Sequence, residues 1–365
     1  MKILFLGEYF PSEIVPAPIK VGKELLKEFR KTGHQIYYLP YYQDGKIYSR
    51  VQKLFGFEKI TDRVYRVGIF PLILFVTKFR PEIIHIITPA LYYIVLFPLR
   101  KILGFKIVST LHSINHYVLP KLSDIYGYQR IRFLFIEKLL IKFSDFVFVY
   151  TERDKRYLTI YHKILPLKLS VMNNGINLSD ITKTDFSLGT TLKIAFVGNI
   201  KRREKAFEFL INALAKLKFP VTLSIFSFNS QSEKIESPSF NIIIRTYEPL
   251  DEINFRQELI KNDLYIISSV YESFSISLLE AMNAGMIFLA SSRVGLTERF
   301  GEKLRHLVFK SNNQQDLLNH IELVCKMDEE AKRDLSFQVK EFTKNYVWAS
   351  IAEEYYKIYN EVLAV

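Results

Sequence analysis

The sequence predicts an α/β protein of two doubly wound, Rossmann-like domains facing a central cleft, and three observations point there. Short aliphatic strands alternate with helical patterns along the whole chain. The strands are almost continuously apolar, which marks parallel sheets covered on both faces. The series runs through twice, and 365 residues suit two domains of about 150–180 residues each. In such sheets ligands bind beyond the carboxyl ends of the strands, so the shared cleft is the default site.

Lys2–Gly7 reads as the opening strand. The helix Lys20–Lys31 carries Val21, Leu25, Leu26 and Phe29 on one stripe and stops at Gly33. Strands Gln35–Leu39, Glu82–Ile87, Lys106–Thr110, Phe146–Val149 and Ser170–Met172 complete the first set, and the polar stretch Asn177–Thr191 reads as a linker. The second set opens with Leu192–Val197 and a helix from near Lys205 to Leu217. Strands Val221–Phe226, Asn241–Arg245 and Leu264–Ile267 follow, with helices near Leu250–Ile260, Ser277–Ala284 and Gln315–Lys326. The expected domains are residues 1–178 and 179–346, followed by a final helix over 347–365.

Composition narrows the function classes. An apolar fraction of 49% with 15% aromatics fills large cores and excludes a disordered chain. The net charge of +12 is unevenly spread: residues 1–178 hold 27 Lys and Arg against 13 Asp and Glu, whereas 179–365 hold 23 against 25. The basic half carries no helix-turn-helix, zinc-finger or aromatic RNA-binding motif, so nucleic acid is not an expected partner. Two stretches, Leu91–Lys106 and Tyr128–Phe143, interleave the basic charge with aromatics, and such segments read as membrane-surface elements. The apolar run Ile83–Leu99 holds His85, Thr88, Pro89 and Pro98 and reads as a strand plus a helix. The single Cys325, on an apolar helix stripe, excludes an intramolecular disulfide and a Cys-rich zinc site. Met1–Gly7 is too short an apolar run for a signal peptide. The expected location is cytoplasmic, peripheral on the inner face of the cell membrane.

The most informative segment runs from Asn262 to Glu298. Strand Leu264–Ile267 leads to Glu272 in a loop, and Glu280 follows in the next helix, eight residues on. Free N–H groups at that helix start form an anion site suited to a diphosphate, and Glu280 is placed to accept hydrogen bonds from a ribose diol. His112 and His116 lie four apart, but the sequence offers no third ligand nearby, and no metal site is expected. Glu298 reads equally as a site acid or as an ordinary carboxylate at a helix N-terminus.

The block Glu272-Ser-Phe-Ser-Ile-Ser-Leu-Leu-Glu280-Ala-Met-Asn-Ala-Gly285 resembles the Glu-x7-Glu signature of retaining glycosyltransferases of family 4, which have the GT-B fold. Weaker resemblances run along the chain: Lys2–Leu6 with Gly33-His34, Pro81–His85, Val108–His112, Asn173–Asn177, Phe196–Asn199 with Lys205, and Trp348…Tyr359. The last resembles a helix that crosses back to the first domain. The resemblance implies an N-terminal acceptor-binding domain and a C-terminal domain for a nucleotide-sugar donor. Glu272 would contact donor-sugar hydroxyls, Glu280 the ribose, Lys205 the diphosphate, and His112 the donor sugar from the first domain. Gly198, Asn199, Arg202 and Arg203 would line the diphosphate, and backbone N–H groups of Phe274, Ser275, Ile276 and Leu278 would cradle sugar and phosphate. Such a set stabilises a departing nucleoside diphosphate electrostatically. No Asp-x-Asp pair is present, which fits a metal-independent design without a cofactor.

The chain departs from the family pattern in four places. Asn199 stands where the family has arginine, and Ala206 where it has the glycine after the lysine. Ser273 and Ser275 replace the glycines of Glu-Gly-Phe-Gly, and Pro16-Ala17-Pro18 replaces a glycine pair after strand one. The implied activity is sugar transfer to a lipid-linked or other anionic acceptor in surface glycan or glycolipid synthesis. A nucleotide-sugar epimerase or hydrolase, and a non-catalytic nucleotide-sugar-binding homologue, are the alternatives.

Overall fold

The apolar runs form two sheets in a computed structural model that describes residues 1–12, 15–42, 48–122, 127–227 and 235–364. Met1–Leu119, Asp124–Gly175 and Trp348–Val365 make one unit, and Pro120–Ser123 with Ile176–Val347 the other. The two α/β units, each built on a mainly parallel sheet, are the doubly wound fold that the alternating pattern predicts.

The first unit contains β1 (Lys2–Gly7), β2 (Gln35–Pro40), β3 (Phe57–Thr61), β4 (Val64–Val67), β5 (Ile83–Ile86), β6 (Lys106–Thr110), β7 (Phe146–Val149) and β8 (Leu169–Val171). They pair in the order β3-β4-β2-β1-β5-β6-β7-β8, parallel except for the β3–β4 hairpin at one edge. Between them run α1 (Ala17–Lys31), α2 (Arg50–Phe55), α3 (Ile69–Phe79), α4 (Leu96–Leu103), α5 (Asn115–Leu122), α6 (Gly127–Phe143) and α7 (Glu152–Tyr161).

The second unit contains β9 (Leu192–Val197), β10 (Val221–Phe226), β11 (Ile242–Tyr247), β12 (Leu264–Ile267), β13 (Phe288–Ser291) and β14 (Val308–Phe309), all parallel, in the order β11-β10-β9-β12-β13-β14. Its helices are α8 (Phe207–Leu214), α9 (Glu252–Leu259), α10 (Ile276–Asn283), α11 (Glu302–Arg305), α12 (Gln314–Lys326) and α13 (Glu329–Thr343). Side-chain caps fix several starts: Asp251, Asn313 and Asp328 each accept a backbone N–H three residues on. Strand order reverses between β1 and β5 in one sheet and between β9 and β12 in the other, and each reversal opens a crevice at the carboxyl ends.

The last helix, α14 (Trp348–Ala364), belongs to the first unit. Its buried Tyr359 stacks on Phe29 with ring centres 5.8 Å apart and meets Nδ1 of His85 through its hydroxyl at 2.6 Å. The other ring nitrogen of His85 meets Thr110 Oγ1 at 2.7 Å, so one fully buried imidazole links β5, β6 and α14. Gly175 lies against the ring of Trp348 so closely that a Cβ would come within 2.5 Å of it, which explains a glycine there on steric grounds.

Two expectations on the basic half are corrected or refined. In Leu91–Lys106, Tyr93, Leu96 and Phe97 are buried in the core, and Arg100 pairs with Asp145 at 3.0 Å, so most of this stretch serves packing rather than a membrane surface. In α6 the reverse holds. Tyr128, Ile131, Phe133 and Phe135 are exposed, while Ile136, Glu137 and Leu140 face inward.

Burial lowers the pKa of His85 to about 3, and the neighbouring His112 adds to the shift. In the unfolded chain this group titrates near 6.5. Below about pH 6.5 the unfolded state therefore binds more protons, and stability falls as the pH is lowered. Urea unfolding at about pH 7 and about pH 5 should show this loss, and the loss should be smaller in His85→Gln. An equal slope in both proteins would contradict the assignment.

Candidate functional site

The second unit's crevice is bounded by the segments that follow β9 and β12. After β9 the chain passes Gly198, whose φ of +151° is open to glycine. A Cβ there would sit in ordinary contact with Cδ and Cε of Lys205 at 3.4 Å, so the backbone angle rather than space is what favours glycine. Asn199 turns inward on its own loop, its Oδ1 accepting the N–H of Lys201 at 2.9 Å. Lys205 lies in a single 3-10 turn, Arg203–Lys205, rather than in the helix itself. Ala206 then adopts φ +50° and starts α8.

After β12 the loop crosses towards this turn and is tied to it. Ser268 Oγ donates to the carbonyls of Lys205 and Ala206 at 2.9 and 3.2 Å, and Val270 N–H donates to Glu204 O at 2.8 Å. These anchors bring Glu272 onto Lys205, and the carboxylate and ammonium form an ion pair with both side chains mostly buried. Glu272 is held from its other side by a bridge to Val294, with Gly295 N–H donating to its carbonyl at 2.8 Å.

Phe274 is buried and lies under the guanidinium of Arg299, 5.3 Å from the ring centre. Ser275 follows at φ +86°, in the left-handed region that costs a β-carbon residue about 1–3 kcal/mol. Both positions where the family pattern has glycine and this chain has a side chain flanking a helix start, Ala206 and Ser275, thus keep the backbone shape that glycine would allow. Ser275 also caps α10: its Oγ accepts the N–H of Leu278 at 3.2 Å. Ile276 is the first residue of that helix and Glu280 the fifth.

The structure therefore gathers Gly198, Lys205, Glu272, Phe274, Ser275, Ile276 and Glu280 on two adjacent segments. One expectation needs correction. The N–H of Leu278 is already taken by the Ser275 cap, because serine in place of glycine brings its own acceptor. Arg202 is paired with Glu204, its Nε donating to Oε1 at 2.5 Å, as Lys205 is paired with Glu272. Arg203 occupies the first position of the same 3-10 turn. Arg299 and Ser268 carry parts of the site that the sequence reading did not find. Neither belongs to a spaced pattern, and each acts through a contact that only the folded chain makes.

His112 belongs to the first unit, just beyond the carboxyl end of β6. Burial lowers its pKa to about 4, against a hydrogen bond to the Ile87 backbone that works the other way. Its Nε2 is inaccessible and has no hydrogen-bond partner among the described residues. The ring is therefore neutral near pH 7, and Nδ1 is the nitrogen left to donate to the Ile87 carbonyl. Beside β1 the sequence departure has a structural counterpart. Pro16 caps α1 without a side-chain bond, and Pro18 removes a first-turn donor, so this helix start is a poor anion site.

Residues 21–180 match the family described as Glycosyltransferase Family 4, and residues 191–326 match Glycosyl transferases group 1. A stretch of 107 residues is 30% identical to N,N'-diacetylbacillosaminyl-diphospho-undecaprenol alpha-1,3-N-acetylgalactosaminyltransferase of Campylobacter jejuni subsp. jejuni serotype O:2. That stretch is 29% of this chain and spans only 28% of that protein's length. The fold is similar over 100% of both chains to sucrose-phosphate synthase from Thermosynechococcus elongatus, at TM-score 0.78 and 15% identity. It is similar, over 99% of this chain and 100% of the other, to Anabaena HepE in complex with UDP and glucose, at TM-score 0.72 and 14% identity. With two Rossmann-like units and a family match in each half, the chain belongs to the GT-B glycosyltransferases of the family 4 and group 1 type.

Proposed function

We propose that the protein is a retaining glycosyltransferase that moves a sugar from a nucleotide-sugar donor to a lipid-linked or otherwise anionic acceptor at the cytoplasmic face of a membrane. The observation that carries the donor half is the Lys205–Glu272 pair at the strand-order reversal of the second sheet, beside the start of α10. Donor binding would separate the pair. The ammonium would turn to the diphosphate, and the carboxylate would accept hydrogen bonds from sugar hydroxyls. Glu280 would take the ribose diol, and the N–H groups of Phe274, Ser275 and Ile276 would face the sugar and phosphate.

The bond from the anomeric carbon to the diphosphate breaks with its electron pair leaving on oxygen, the acceptor hydroxyl oxygen bonds to the same face of the sugar, and its proton passes to the departing diphosphate oxygen. Negative charge on the leaving group grows along this path, so a preorganised cation and aligned N–H donors stabilise the transition state more than the ground state. In this reading Lys205 does at the diphosphate what a divalent cation does in other sites. His112 is neutral near pH 7, and its buried Nε2 would have to turn outward to accept a hydrogen bond from a sugar hydroxyl.

The acceptor half rests on three supports. The C. jejuni relative is named for a diphospho-undecaprenol substrate. The first 178 residues hold the whole basic excess. The exposed Tyr128, Ile131, Phe133 and Phe135 alternate with Arg130 and Arg132 along α6. No helix among the described residues is long and apolar enough to cross a membrane, so the proposed attachment is to the surface.

Labelled nucleotide sugars incubated with and without membrane extract test the reading directly. Transfer to lipid supports it; release of free or altered sugar would favour a hydrolase or epimerase, and binding without turnover a non-catalytic homologue. Lys205→Ala should lower kcat on the order of 10²-fold, more than it weakens donor binding; an equal fall in both would remove its role in the transition state. Glu280→Ala should weaken nucleotide binding by roughly tenfold or more, the loss of a hydrogen bond worth ~1–3 kcal/mol, and unchanged calorimetric affinity would reject the ribose assignment. Anionic vesicles should pull the wild type down at low salt and release it at high salt, with Arg130→Glu/Arg132→Glu staying in the supernatant. Wild type that never sediments would reassign the basic charge to a soluble anionic acceptor.

A further inference from the structure

In the first unit three helices bring His116 (α5), Glu137 (α6) and the residue after α7, His162, to one point. One ligand atom from each lies within 4.8 Å of the other two. The two imidazole rings stand edge to face with centres 4.8 Å apart. Glu137 is 1% exposed. Its Oε2 accepts the N–H of Asn115 at 2.6 Å, and its Oε1 accepts the N–H and Nδ1 of His116 at 3.1 and 2.6 Å.

Capping of α5 accounts for the two backbone donors on this carboxylate, but not for the two convergent imidazoles. Three donors also leave about one of its four lone-pair directions open. A buried carboxylate is ordinarily paired with a cation or bound to a metal. Among the described residues the ion-pair partner of Glu137 is His116, which is charged only when protonated.

We propose that His116, Glu137 and His162 bind a divalent first-row cation of the zinc type. Two imidazoles and one carboxylate match the borderline character of Zn²⁺, with a fourth position left for water. A tetrahedral ion with bonds of about 2.0–2.1 Å keeps its ligand atoms roughly 3.3 Å apart. Closing the present spread of up to 4.8 Å requires the partly exposed imidazoles to rotate and the Glu137 carboxylate to give up its hydrogen bond to His116. The ion clamps α5 onto α6 and α7. Because α5 begins three residues after His112, the clamp also fixes the segment that carries this histidine. The proposed leaving-group residues all lie in the second unit, so the clamp reaches the proposed transfer chemistry only through His112.

The test uses the full chain, dialysed against chelator and then titrated with Zn²⁺ alone by calorimetry. One saturable site per chain is expected, weakened at least ~100-fold in His162→Ala and in His116→Ala. Zn²⁺ should raise the melting temperature of the wild type and leave that of His162→Ala unmoved. Co²⁺ should give the intense visible band of a four-coordinate site in the wild type alone. A melting temperature of metal-free His162→Ala close to that of the wild type shows that the variant is folded. No saturable binding, or the same affinity and stoichiometry in both histidine variants, overturns the proposal.

Discussion

The ion pair between Lys205 and Glu272 is the constraint around which the second unit's site is arranged. Its two residues come from segments far apart in sequence, following strands that are direct neighbours in the sheet. The pair is supported by ties from Ser268 and Val270 to the Lys205 turn and by the bridge from Glu272 to Val294. Each tie fixes backbone, so the two charged groups face each other without relying on long flexible stems alone. In the proposed donor complex the ammonium would exchange the carboxylate for a phosphate oxygen, and the carboxylate would be left with hydrogen bonds from neutral hydroxyls.

Backbone shape accommodates two side chains where the family pattern has glycine. Ala206 and Ser275 hold positive φ values, the region that glycine enters at no steric cost. The serine offsets part of its strain by capping α10, and in doing so it uses the Leu278 N–H. The site therefore has one donor fewer than a glycine version would offer. Pro18 has a comparable effect at α1, where the first turn lacks a donor.

Much of the fold was legible because buried parallel strands write themselves as unbroken apolar runs: β1, β6, β7, β9, β10 and β12 stand where such runs occur. The β3–β4 hairpin was not, since Phe57-Glu-Lys-Ile-Thr is largely exposed at an edge and mixes charge with apolar residues. β13 and α13 were missed for opposite reasons. One is a four-residue run directly after the Gly285 turn, and the other is a highly charged helix with a thin buried stripe at Leu335 and Val339. Glu272, Glu280 and Lys205 were singled out by resemblance, since the spacing of two glutamates around a helix start does not by itself distinguish a site from a solvated face. The histidines and glutamate on α5, α6 and α7 were not, because their separation along the chain follows no ligand spacing and only the packing of three helices assembles them.

Hydrogen exchange of the full chain with and without UDP or ADP measures the central claim, that the Lys205–Glu272 corner is a nucleotide-sugar donor site. The account predicts slower exchange on nucleotide addition, concentrated at Gly198–Ala206 and Glu272–Glu280. Saturable nucleotide binding that leaves both segments unprotected, with protection elsewhere in the chain, would contradict it.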